Sequence, residues 1–239
     1  LKLYDWLGNN SGKGFGGYKK GDPVDAKKIV REEVRPQQYY KFLIGIHSSY
    51  SDGKGSVKEY VEAAKKAGYN AIVFTENFAK MKPGAYSELI KECEKYTDEK
   101  FICIPGYQID DQDRNSIILA GAPRVPPKSW LTEDGKRLIE TQMVYLTIYN
   151  TLTIIHHADS NPLPKERLKH FQAMSVYTYR DGKLIDNSLS SYMWQVQNAS
   201  NPHPIAVHET FSPDKVALAA KTGFQQIIIS GELARAAGY

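Results

Sequence analysis

Only two cysteines occur in the 239 residues, Cys93 and Cys103. Two cannot staple a disulfide scaffold, and their spacing is not that of a metal knuckle. Cys103 sits in the apolar run FICIP, where a buried free thiol is the common outcome; a disulfide to Cys93 depends on the compartment. Long apolar runs are missing too. No stretch reaches the roughly 18 consecutive apolar residues of a membrane span, which leaves a soluble chain of unknown location. Long basic blocks are also absent: the formal charge is +4, and Lys and Arg alternate with acids, as in KEYVEAAKK and KECEKYTDEK. Such mixing makes a solvated surface, with no nucleic-acid patch evident. There is no Gly-x-Ser-x-Gly turn for a serine hydrolase. The GKGFGG run near the N-terminus has no strand leading into it and no Gly-Lys-Ser/Thr after it, which excludes a phosphate-cradling loop. The chain starts at Leu1 rather than Met, as a trimmed product or a piece of a larger parent would.

What is present is a regular alternation. Residues 1–40 are rich in Gly, Asn and Lys and read as a loop-rich segment or linker, with one short helix in DPVDAKKIVREEV. From residue 41, KFLIGIH, NAIVFT, FICIPGYQI, SIILAG, LTIIHH, AMSVYTY, HPIAVH and FQQIIIS read as short apolar strands. SVKEYVEAAKKAG, with Ser56 as N-cap and Gly68 as stop, AYSELIKECEKY and SPDKVALAAKTG, opened by Ser212 and closed by Gly223, read as helices. So do LTEDGKRLIETQMVYLTIY, PKERLKHF, SLSSYMWQVQNA and a final GELARAAGY. The polar DDQDRN joins two strands as a hairpin. The 16 tyrosines fall mostly in strand and helix patterns and serve packing. Strands covered by amphipathic helices make an α/β fold, and about eight of them predict one barrel-like sheet over 41–239.

Chemistry in such barrels gathers where strands end. His47, His156, His157 and His208 stand at strand ends. Each has a plain alternative, as a polar residue at a barrel mouth bonded to neighbours or water. Asp52 precedes a Gly in a turn, where it also suits local backbone bonding. Strand alternation sends His156 and His157 to opposite faces, so only one of them points inward. His170 and His203 read as surface residues, and Glu76 and Glu209 as neighbours of the ligand positions, with substitution as ligands the alternative for each.

The run IGIHSSYSDGKGSVKEYVEAAKKAGYNAIVFTEN resembles the first two motifs of the PHP (polymerase and histidinol phosphatase) family. That family shows two histidines one residue apart, a Tyr-Ser-Asp-Gly turn, a helix, and a strand ending in Thr-Asp-His. Here Tyr50-Ser51-Asp52-Gly53 matches the turn and His47 the second histidine. Pro105-Gly106-Tyr107-Gln108 resembles Pro-Gly-x-Glu, Ile154-Ile155-His156-His157 a later strand ending in a ligand histidine, and Ile205-Ala206-Val207-His208 a strand ending in Asp-x-His. The resemblance implies a distorted TIM-like (β/α)7-type barrel with a β-hairpin insertion. It also implies a metal-dependent phosphoesterase ancestry and a ligand set of His47, Asp52, His157 and His208, with motif alignment choosing His157 over His156.

The departures are as specific as the matches. Gly45, Asn77, Gln108 and Ala206 stand where two imidazoles and two carboxylates are expected. A neutral amide cannot bridge cations, and Gly and Ala offer no ligand. The implied site is therefore incomplete: no cofactor, or one zinc or manganese ion. The chain reads as a degenerate PHP-type domain, a non-catalytic structural, scaffold or binding module working with other domains or protein partners. The alternative is a phosphoric ester hydrolase with a reduced metal site. If the loss lies in the ligands rather than the fold, Gly45→His, Asn77→His, Gln108→Glu and Ala206→Asp together return metal binding.

Overall fold

The computed structural model describes residues 38–110, 116–126, 151–156, 171–185, 203–222 and 225–229. The helices expected over DPVDAKKIVREEV, LTEDGKRLIETQMVYLTIY, SLSSYMWQVQNA and GELARAAGY, most of PKERLKHF, and His157 and His170 lie outside them.

Helix α1 (Val57–Lys66) forms where the sequence places its signals. The Ser56 Oγ accepts from Glu59 N at 3.3 Å, and the Glu59 carboxylate accepts from Ser56 N at 2.8 Å, closing a capping box. Val57, Tyr60, Val61 and Ala64 form its buried stripe. Gly68, at φ +83°, ends it as expected, and Tyr69 N returns to Ala64 O at 3.0 Å. Helix α2 (Ala85–Tyr96) buries Tyr86, Leu89 and Cys93 in the same way. Cys93 and Cys103 are both buried and reduced.

The strands fall into two ladders. The first has the order β11 (Gln225–Ile229), β1 (Gln38–Ile46), β2 (Ala71–Phe74), β4 (Ile102–Ile104). The second has the order β10 (His203–Glu209), β8 (Ala173–Arg180), β7 (Leu152–His156), β6 (Ser116–Ala120), β5 (Gly106–Asp110), β3 (Glu76–Asn77), with β9 (Lys183–Ile185) paired to β8. The pairs β1–β2, β2–β4, β3–β5, β7–β8 and β8–β10 are parallel. The β5–β6 hairpin is antiparallel, as expected from its polar turn.

The result is a mixed α/β fold with a curled half-barrel sheet. It corrects the expectation of one continuous sheet in two places. FICIPGYQI is not one strand: Pro105, without an N–H to donate, breaks it, so β4 stays in the first ladder and β5 joins the second. Gly106 makes the crossing sterically feasible, since a Cβ there would lie 2.4 Å from Phe74 O. FQQIIIS pairs antiparallel to β1, although the helix-strand alternation suggested parallel neighbours. The ladders also meet at β1 and β10. Ile46 and Thr210 form a parallel bridge, with Thr210 N to Gly45 O at 2.8 Å and His47 N to Thr210 O at 3.0 Å.

The expected helix over SPDKVALAAKTG is shorter than its pattern. It is a 3-10 turn (Pro213–Lys215) followed by α3 (Val216–Ala219). Ser212 directs its hydroxyl to the Asp214 carboxylate instead of a backbone cap.

Most strands are buried on both faces. Leu43, Ile46, Ile72 and Phe74 pack with α1 and α2 residues such as Tyr60 and Leu89. Phe42, Ile44, Ala71, Val73, Ile118, Ile154 and Val207 fill the concave side. Ile44 and Ile46, two residues apart, thus face opposite sides. The cause is a register shift between them against β2, with Gly45 as the extra residue.

Candidate functional site

The strand that ends at Ile46 runs into a tight loop. Gly53 N donates to Ser48 O at 2.9 Å, and Gly53 is required because a Cβ would lie 1.6 Å from His47 O. Tyr60 of α1 donates its hydroxyl to His47 O at 2.8 Å. The bolt of this loop is Glu76. Its buried carboxylate accepts from Ser48 N at 2.9 Å, from Ser48 Oγ at 2.6 Å and from Ser51 Oγ. Burial pushes the Glu76 carboxyl above its ordinary range, and the serine bonds oppose that push. Glu76 is a residue whose work the sequence did not reveal. The signal was two serines in the loop facing an acid at the end of the next strand.

Within this loop His47 and Asp52 come together: His47 Nδ1 lies 2.8 Å from Asp52 Oδ1. The other carboxylate oxygen is also taken. Lys80 Nζ sits 3.0 Å from Asp52 Oδ2, and Asn77 Nδ2 lies 3.4 Å from it. The His47 hydrogen bond, then Lys80, hold the Asp52 carboxyl well below the usual carboxylate range against the opposing effect of burial. The His47 ring packs on Phe211 with centroids 4.4 Å apart. Its Nε2 is buried with no hydrogen-bond partner.

A second polar group forms at the ends of β7, β8 and β10. His156 Nε2 lies 3.2 Å from Glu209 Oε1, and Arg180 Nε lies 2.7 Å from Glu209 Oε2. A bulge in β8 brings Arg180 to Glu209. In the β8–β10 pairing, Ile205 faces Ser175 but Ala206 faces Tyr177, so Val176 is an extra residue. Val207 then faces the concave side, and Glu209, two residues on, shares its face. His208 takes the other face, its ring 4.8 Å from that of Tyr179. Burial pushes the His208 imidazole down to about 4, and its Nδ1 is buried without a partner. Of the residues expected to form a site, then, His47 and Asp52 meet, His208 lies against Tyr179, and His157 lies outside the described residues. Sequence reasoning names Glu209 only as a neighbour of the ligand positions and does not single out Arg180 or Lys80, because their partners are remote in the chain.

Three of the four departures have structural roles of their own. At Gly45, φ is +116°, and a Cβ would lie 2.5 Å from His208 O. The position therefore excludes any side chain where β1 crosses β10. Asn77 Oδ1 accepts from Ala79 N at 3.1 Å and caps the 3-10 turn (Phe78–Lys80). Gln108 Nε2 donates to Ser116 Oγ at 2.7 Å, and Ser116 Oγ donates to Asp110 Oδ1 at 2.9 Å. Ala206 has no donor atom in its side chain.

These donors do not fit a metal pair. Asp52 has both oxygens engaged, Glu76 is committed to the loop, and Glu209 is shared between His156 and Arg180. Among the described residues, no three His, Cys, Asp or Glu side chains gather where one ion could hold them. A two-ion site needs its ions about 3.5–4 Å apart, and no anionic bridge is available at Gln108 or Ala206 to hold them.

Comparison with known proteins gives one family and several solved structures of similar fold. A family model described as PHP domain matches residues 44–203. A two-domain protein from Bacteroides vulgatus containing a predicted PHP-like metal-dependent phosphoesterase superposes with a TM-score of 0.56 at 13% identity. That alignment covers 81% of this chain and 58% of the other, so the chain spans little more than half of that protein. PsfC from Pseudomonas syringae gives 0.55 at 11% identity, covering 81% of this chain and 93% of its own. A candidate metal-dependent phosphoesterase from Bifidobacterium adolescentis gives 0.51 at 9%, covering 73% and 89%. No curated protein matches the sequence.

Proposed function

Because this chain belongs to the PHP domain family, we propose that it is a PHP-type domain with an incomplete metal site that serves as a non-catalytic structural, scaffold or binding module of a larger protein. The observation that carries this reading is the Asp52 carboxylate, engaged on one oxygen by His47 and on the other by Lys80. Ester hydrolysis of phosphate needs concentrated positive charge at the attacking and leaving oxygens, and a metal pair supplies it. Here the cations Lys80 and Arg180 are each neutralised by a carboxylate. The scaffold in this reading is a distorted TIM-like (β/α)7 barrel over 41–239, preceded by a loop-rich segment over 1–40. The β1–β10 bridge at Ile46 and Thr210 supports the barrel. The two-domain composition of the Bacteroides vulgatus protein supports a partner domain.

A second reading, a metal-dependent phosphoesterase with one zinc or manganese ion at His47, Asp52, His157 and His208, is favoured by the buried, unpartnered Nε2 of His47. Hydrolysis of para-nitrophenyl phosphate, with manganese or zinc added, separates the two. The expected outcome is the same background rate for the native chain and the His47→Ala/His208→Ala variant. A metal-dependent rate that disappears in the double variant would instead establish the hydrolase.

A further inference from the structure

We infer that Lys80 is a tethered cation: its ammonium takes the electrostatic place of a metal ion at the Asp52–His47 pair and makes this end of the sheet select against divalent cations. The inference rests on the reading of the site as metal-poor and adds a cause to it.

The placement of Lys80 is built rather than incidental. Asn77 stands where the family places a ligand imidazole. Its Oδ1 instead accepts from Ala79 N at 3.1 Å, and its backbone O accepts from Met81 N at 3.1 Å, which winds residues 78–80 into a 3-10 turn. The ring of Phe78 packs against buried Tyr107, with centroids 5.8 Å apart, and so anchors the turn to β5. Only the stem of Lys80 is then free to move, and it carries Nζ to within 3.0 Å of Asp52 Oδ2. The Asn77 amide points a further donor at the same oxygen from 3.4 Å. Asn77 thus brings no imidazole, caps the turn that delivers an ammonium, and adds a donor to the oxygen that a metal would need.

A divalent ion approaching Asp52 must displace the ammonium from Oδ2 and then sit near it. At about 4 Å, even with water-like screening, the repulsion between a double and a single positive charge weakens binding roughly tenfold to thirtyfold. Lys80 is more than half exposed, so its replacement leaves the buried structure untouched. In Lys80→Met the stem remains and the charge goes. Lys80→Gln provides a second variant with a polar end.

The experiment is calorimetric titration of the metal-stripped full chain with manganese chloride. The native chain is expected to bind in the millimolar range or more weakly. Lys80→Met and Lys80→Gln are expected to bind at least tenfold more tightly, and Lys80→Met/Asp52→Asn to lose the gain. Weak binding in both single variants as in the native chain would overturn the role of Lys80 and leave the metal-poor reading standing. A gain that persists without Asp52 would overturn it as well. Stoichiometric micromolar binding by the native chain would overturn both the inference and the reading beneath it.

Discussion

Gly45→Ala should destabilise the protein by about 3–5 kcal/mol, seen as a lower urea midpoint at unchanged slope. Two effects add. The backbone at residue 45 has φ +116°, which a β-carbon strains by about 1–2 kcal/mol. The new methyl would also lie 2.5 Å from His208 O and 2.9 Å from Glu209 N, which are backbone atoms of a strand bonded to its neighbours and cannot rotate away. The register shift at Gly45 is what brings Gly45 O to Thr210 N and closes β1 onto β10. A loss below about 1 kcal/mol would mean that β1 and β10 do not approach so closely. The same geometry bears on any attempt to place a ligand at position 45. Returning a histidine to position 45 requires β1 to be rebuilt, so changing only Asn77, Gln108 and Ala206 cannot recreate the first ligand.

Glu76→Ala should cost about 2–4 kcal/mol, with the loop over residues 48–53 losing its fixed conformation. The carboxylate satisfies Ser48 N and Ser48 Oγ, both in a place where water does not reach, and the half-buried Ser51 Oγ. Removing it leaves buried donors unpaired, which costs more than the bonds gain. Ser51 can turn its one hydroxyl hydrogen to Asp52 Oδ1 at 3.2 Å, which keeps the loss below that of three orphaned groups. Because Ser51 Oγ also accepts from Asn77 N at 3.1 Å, the change reaches the start of the Lys80 turn. Urea unfolding gives the magnitude, and amide hydrogen exchange at residues 48–53 gives the location. Unchanged protection there would show that the backbone turn through Gly53 holds the loop without Glu76.

Much of the fold could be read locally. Ser56, Glu59 and Gly68 announce α1, and the polar turn after Asp110 announces a hairpin, because capping and turn chemistry depend on adjacent residues. The motif Tyr50-Ser51-Asp52-Gly53 likewise marks a turn that places Asp52 on His47, only five residues away. What failed to show depends on residue parity and distance. A bulge at Gly45 and another at Val176 each reverse which side chains face the concave side. Counting by twos along β8 therefore could not set Arg180 beside Glu209. The Lys80–Asp52 pair spans 28 residues and the Arg180–Glu209 pair 29, with no periodic signal to join either. Pro105 and Gly106 were legible as a motif, but not as the point where one apolar run passes from one ladder to the other.

If fixed side-chain cations have displaced the metal chemistry of the fold, the purified full chain should hold almost no divalent ion. The most direct test is its metal content after incubation with excess manganese or zinc and removal of the free ion, measured by elemental analysis. Displacement by Lys80 predicts well under one ion per chain for either metal. One or more ions per chain, lost on His47→Ala, would contradict it.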